Sequence, residues 1–231
     1  MNRISIRITN HREIAKKFTN ITETRSPALL LSSVRLMLQR NFNSMKNQMI
    51  AEFLNLKVTQ EIMAGPNASN ISGTLSTLSG ADYGNLFSFI GFNSSDSPID
   101  VIIEILQSTK LVYVKSIPRY IDFYIDIPTA QTIFEATPMP WADGRSWAQG
   151  IEQGISGLGL YIYKSGGAGS SSRSGTAIQT RFGSQSKSRP GLTSFRKTEY
   201  GRFNNQPYIS SFINEWSKKF SDIGINTIIK I

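Results

Sequence analysis

PALLLSSVRLMLQRNFNSMKNQMIAEFLNL, residues 27–56, is the stretch that decides the fold. Its apolar residues stand at Leu31, Val34, Leu38, Phe42, Met45, Met49, Phe53 and Leu56, in steps of 3, 4, 4, 3, 4, 4 and 3. That rhythm averages close to the helical period and puts one apolar stripe on a long helix. Ser26 before Pro27 supplies an N-cap followed by proline at the first helical position. Arg35, Arg40, Lys46, Gln48 and Glu52 fall largely off the stripe. A helix of this length runs roughly 45 Å, enough to span a small domain. The steps follow an eleven-residue rhythm rather than a strict heptad, which argues for a core helix over a coiled-coil partner.

Outward from that helix, the alternation of Ile4, Ile6 and Ile8 with Ser5 and Arg7 has the period of a strand. Residues 11–21 read as a short basic helix with Ile14, Phe18 and Ile21 on one side, and His11 near its start as a capping or solvated residue. Beyond the long helix, Val58 to Ala64 gives another turn or two, ended by Gly65-Pro66-Asn67. Residues 65–85 read as a polar loop, and Gly84 to Phe92 as an aromatic strand between glycine turns. Pro98 to Ser108 is expected helical, capped by Asp96 or Ser97. Lys110–Ile117 and Tyr120–Ile127 read as a half-exposed antiparallel hairpin. Residues 128–140, with three prolines, read as an irregular or extended connection.

Further on, Ser146 to Ile155 is expected helical, stopped by Gly157 and Gly159, and Leu160 to Tyr163 a strand. Pro207 to Phe220 is a helix with Ile209, Phe212, Ile213 and Trp216 inward and Lys218-Lys219 in its last turn. Thr227 to Ile231 reads as a terminal strand. The fold class is therefore α+β, a long N-terminal helix packed on a curved antiparallel β-sheet, with an extended basic Gly/Ser-rich arm. The expected organisation is 1–25, an N-terminal strand and short basic helix that could serve as an arm; 26–163, the core; 164–206, a flexible basic arm; and 207–231, a helix and strand returning to the core.

Composition narrows the chemistry. No cysteine is present, so disulfides, thiolate metal sites and cysteine nucleophiles are excluded. One histidine rules out a multi-histidine centre within one chain and leaves His11 as the sole base for a serine triad. Asp122 with Asp126 on one strand face, or Asp100 with Glu104 on one helix, could hold a divalent cation or act as acid and base, though both pairs also read as solvated faces. Gly166-Gly167-Ala168-Gly169 lacks the Gly-Lys-Ser/Thr end of a phosphate loop, and Gly154 to Gly159 does not follow a strand as a dinucleotide fingerprint requires. No cofactor and no metal is expected. No apolar run has the length of a membrane span, and residues 1–9 lack the apolar core of a signal peptide.

The formal charge is +9. Such a balance points to nucleic acid, an anionic surface or an acidic partner. Its clearest expression is the arm, where Arg173, Arg181, Lys187, Arg189, Arg196, Lys197 and Arg202 face one acid, Glu199. Cations spaced along a Gly/Ser-rich chain can follow a phosphate backbone or order on a neighbouring subunit. Phe182 and Phe195 are candidate stacking or docking anchors.

Asn70-Ile71-Ser72-Gly73-Thr74-Leu75, Gly84 to Phe92, and Trp147 to Gly159 together give the chain a family likeness. It resembles the tail-completion or neck (head–tail connector) proteins of large tailed bacteriophages. Ser72-Gly73-Thr74-Leu75 stands where that family carries a Thr-Gly-x-Leu element. The resemblance covers residues 27–163. It implies a non-enzymatic virion protein, assembled in the host cytoplasm, forming a ring with copies of itself, expected sixfold. Its implied partners are the neighbouring connector and the tail tube or terminator proteins, with DNA in the channel. A nucleic-acid-binding module using residues 164–206 is the alternative, and a carboxylate metalloenzyme a third.

Overall fold

The stripe between Val34 and Phe53 forms a helix, α1, spanning Pro27–Leu54 in a computed structural model that describes residues 2–8, 27–77, 85–117, 120–140, 142–153, 160–162 and 200–223. Val34, Leu38, Phe42, Met49 and Phe53 are each at most 2% exposed. The helix ends short of Leu56, whose backbone turns extended and caps the next helix, α2, Lys57–Met63. The remaining elements are β1 (Asn2–Ile8), β2 (Leu75–Thr77), α3 (Leu86–Ile90), α4 (Asp100–Gln107), β3 (Lys110–Ile117), β4 (Tyr120–Ile127), α5 (Ala130–Glu135), β5 (Pro138–Met139), β6 (Ala142–Ser146), α6 (Trp147–Gln153), β7 (Leu160–Ile162), β8 (Tyr200–Phe203) and α7 (Ile209–Ser221). The class is α+β with antiparallel sheets. No helix among the described residues is long and apolar enough to cross a membrane.

The chain divides into two compact units. The first holds Met1–Glu52, Glu104–Thr129 and Ile213–Ile231. Its sheet has the order β1-β4-β3. Strand alternation sends Ile6, Phe123, Ile125 and Ile127 into the core. Arg35 of α1 stacks 3.5 Å above the Tyr113 ring, which meets Phe123 edge-on at 5.6 Å. The Lys46 ammonium donates to the carbonyls of Gln107 and Thr109, at 3.0 and 3.2 Å. It thereby satisfies acceptors that the end of α4 leaves open. Phe42 packs on Phe220, and Phe220 on Trp216. Burying a ring such as Phe42 contributes about 2 kcal/mol.

In the same unit Lys219 bridges Glu52 at 2.7 Å and Glu215 at 2.8 Å. Burial pushes the Glu52 carboxyl up, but hydrogen bonds from Lys219, Gln48 and Trp216 and the Lys219 charge outweigh it and hold the group below its usual range. A depressed carboxylate stabilises the fold above its unfolded pKa, and that contribution is lost as pH falls through the folded value. Both partners are more than a third exposed, so the effect on stability is small. We expect Lys219→Met to return the Glu52 titration, followed by carboxyl carbon NMR, upward toward 4.5. An unmoved titration would assign the shift to the other donors.

The second unit holds Phe53–Ile103 and Ala130–Phe212. Its interior is a run of touching rings. Phe87 packs on Phe92, Phe92 on Trp147, Trp147 on Tyr208, and Tyr208 on Phe53, with centroids 5.3 to 6.5 Å apart. The Tyr208 hydroxyl, inside this run, hydrogen-bonds Thr59 Oγ1 at 3.0 Å.

Several expectations need correction. Leu86 to Ile90 is a helix, not a strand, and every one of its side chains is buried. A short run buried on all sides has no period to read. Its true signals are terminal. Asn85 Oδ1 accepts from Ser88 N as an N-cap, and Gly91, at φ 89°, ends the helix in the left-handed region. Residues 75–77, read as loop, form β2, and residues 130–135, within a stretch read as irregular or extended, form the helix α5, while 138–139 are extended as β5. Tyr200–Phe203, read as arm, is the central strand of the sheet β2-β8-β7. Asp96 closes a turn by accepting from Asn93 N at 2.7 Å. The expected helix at 11–21 and strand at 227–231 lie outside the described residues.

Candidate functional site

The two ends of the basic segment meet in one sheet of the second unit. In the sheet β2-β8-β7, β7 pairs antiparallel with β8 through Leu160↔Arg202, Tyr161↔Gly201 and Ile162↔Tyr200. Paired residues in such a ladder lie about 5 Å apart. Residues 163–199 therefore leave from Ile162 and return to its neighbour Tyr200. Arg173, Arg181, Lys187, Arg189, Arg196 and Lys197 are in that connection and outside the described residues. Arg202 is not part of it. Its Cα lies in the middle strand, between Ser76 and Leu160.

The returning end is held by several independent contacts. Phe203 stacks on Phe89 with centroids 5.4 Å apart. Asn204 N donates to Thr74 O at 2.7 Å, and Gln206 N donates to Ile151 O at 3.0 Å. Beyond it, the Glu152 carboxylate accepts from the Ser210 amide and from Ser210 Oγ, capping the start of α7. Glu152, Gln153, Asn205, Gln206, Pro207, Ser210 and Ser211 line a shallow, open depression of about 470 Å³ there. Tyr208 behind it has its phenol pushed up by burial, eased by Thr59 and raised further by the Glu152 charge.

β2, the other neighbour of β8, rests on a polar network that the sequence reading did not find. Glu61 of α2 is fully buried. Its Oε2 accepts from Ser72 N at 2.8 Å and its Oε1 from Leu86 N at 2.7 Å. Asn85 donates to the carbonyls of Pro66 and Ala68. Asn70 exchanges two hydrogen bonds with the Leu75 backbone, and Ser72 Oγ bonds Thr74 Oγ1 at 2.9 Å. Gly73, at φ 67°, makes the turn in a region that other residues rarely adopt. Glu61 had a sequence signal. Val58, Glu61 and Ile62 stand at i, i+3 and i+4, so a carboxylate falls on the inner face of α2.

The carboxylate pairs are placed differently from a metal site. Asp122 is gripped by Arg7 through Nε at 2.8 Å and Nη2 at 3.2 Å. Asp126 is 8% exposed, with Lys110 Nζ 3.9 Å away. Asp100 and Glu104 are exposed. Among the described residues no three metal-ligating side chains cluster. His11 and both glycine series lie outside the described residues. Comparison with known proteins gave no matching family model, no matching curated protein and no matching solved structure.

Proposed function

We propose that this chain is a structural subunit of a tailed-phage head–tail junction, a tail-completion or neck protein that forms a ring joining the head connector to the tail. In this reading the long helix lies on a curved antiparallel sheet, and the basic segment 163–199 extends as an arm to a neighbouring copy. The ring, expected sixfold, meets connector proteins on one side and tail tube or terminator proteins on the other. Its cations face DNA in the channel. The observation that carries the reading is the pairing Ile162↔Tyr200, which roots both ends of the arm in adjacent strands. An arm with both ends anchored can reach a neighbour while its own unit stays folded. The family resemblance supplies the setting.

The test is light scattering on nuclease-treated protein, with electron microscopy of the same fraction. Rings, alone or on particles, are the expected result and give the symmetry. A monomer that forms no ring with virion components present, yet gains mass when DNA is returned at low salt, would favour the nucleic-acid-binding alternative.

A further inference from the structure

The sheet β1-β4-β3 carries its charges in rows. The first row, read across the strands, is Arg3, Asp126, Lys110. The second is Arg7, Asp122, Lys115. Both alternate in sign, and both end in a cation at either edge. The register shift between Tyr113 and Lys115 keeps the alternation in step, because Val114 takes up the extra residue as a bulge. The central carboxylates are satisfied unequally. Asp122 holds Arg7 through both oxygens, whereas Asp126 has Lys110 at 3.9 Å, and its Oδ1 is buried without a hydrogen-bond partner.

β3 forms one edge of this sheet, with no strand beyond it among the described residues. The edge strand itself exposes apolar side chains, Tyr113 at 37% and Val114 at 56%. Cations on an edge strand repel another cationic edge. The same cations favour an added strand that carries acids opposite them. A second copy of this chain offers no such strand. Apart from Asp122 and Asp126 in the central strand, acids four residues apart occur only as Asp96/Asp100 and Asp100/Glu104, at or within α4.

We propose that the β3 edge is a docking site for an extended acidic segment of another protein, which adds as a fourth strand with two carboxylates opposite Lys110 and Lys115 and apolar residues against Tyr113 and Val114. Main-chain bonding along the edge gives affinity, and the two charge rows give register and choice of partner. This inference rests on the charge rows and not on the phage reading.

The experiment uses the full chain and a labelled synthetic peptide, Thr-Val-Asp-Val-Thr-Val-Asp-Val-Thr, followed by fluorescence anisotropy. The expected result is saturable binding that weakens about tenfold when both aspartates become lysine, because each row then opposes like charges. Val114→Glu, at an exposed position, should weaken the acidic peptide by about the same factor and leave the circular dichroism unchanged. Absence of binding at millimolar peptide would overturn the proposal. So would equal affinity for the acidic and basic peptides, or indifference to Val114→Glu. Displacement of the peptide by oligothymidylate at the same salt would overturn it in favour of a phosphate-binding edge.

Discussion

Replacing residues 163–199 by Asn-Gly should leave a folded protein that no longer assembles. The two strand ends are already paired, Ile162 with Tyr200, and a two-residue Asn-Gly turn is the connection that such a pair favours. Shortening the connection by about four halvings lowers the closure cost by roughly 2 kcal/mol at most. The unfolding midpoint should therefore hold or rise, and the helical circular dichroism should persist. The charge changes more. Seven cations, Lys164 among them, and one acid leave, so the formal charge falls from +9 to +3. If the arm supplies the contact between copies, rings disappear in light scattering and microscopy. If it also lies along DNA, the slope of log K against log salt falls by up to about 6. Rings that survive the excision would remove the arm from assembly and leave contacts between the folded units as the source. A loss of helical signal would instead mean that the segment supports the fold.

What was legible in the sequence followed from period and from signed termini. The stripe of α1 is buried at Val34, Leu38, Phe42, Met49 and Phe53 because its spacing matches the helix turn over many residues. Ile209, Phe212, Ile213 and Trp216 face inward in α7 for the same reason. The hairpin of β3 and β4 was legible in its alternation, and β4 proved to be the central strand, with β1 on its far side. What period could not reach were the short elements. α3, β2 and β5 are too brief to repeat a pattern, and β2 is set by its ladder with β8, far along the chain. β8 was hidden by composition. Tyr200-Gly201-Arg202-Phe203 continues a basic, polar stretch, and only its ladders with β2 and β7 distinguish it. The candidate site divides along the same line. The run of cations was plain, but that both its ends sit in one sheet required the register.

Glu61 is the residue whose loss should cost the second unit most. Its carboxylate accepts two backbone N–H groups, from Ser72 and from Leu86, in a fully buried position. Hydrogen bonds to a charged group contribute about 1.5–3 kcal/mol each, and a buried donor left alone costs its desolvation. Glu61→Ala removes both acceptors and leaves both amides unpaired, so we expect a loss of about 4 kcal/mol. Glu61→Gln keeps one oxygen and turns an NH2 toward the other amide, so about 2 kcal/mol is expected. The losses should appear locally before they appear globally. Ser72 N anchors the turn that leads into β2, and Leu86 N is the first amide of α3. Exchange protection at these two amides should fall by orders of magnitude in Glu61→Ala, followed by protection along Leu75–Thr77, while Phe123 and Ile125 of the first unit keep theirs. Because β2 flanks β8, loosening it should also free the returning end of the basic segment, and a protease should then cleave near Tyr200 more readily. Glu61→Ala within 1 kcal/mol of the parent, with both amides still protected, would mean that other groups carry this corner of the fold.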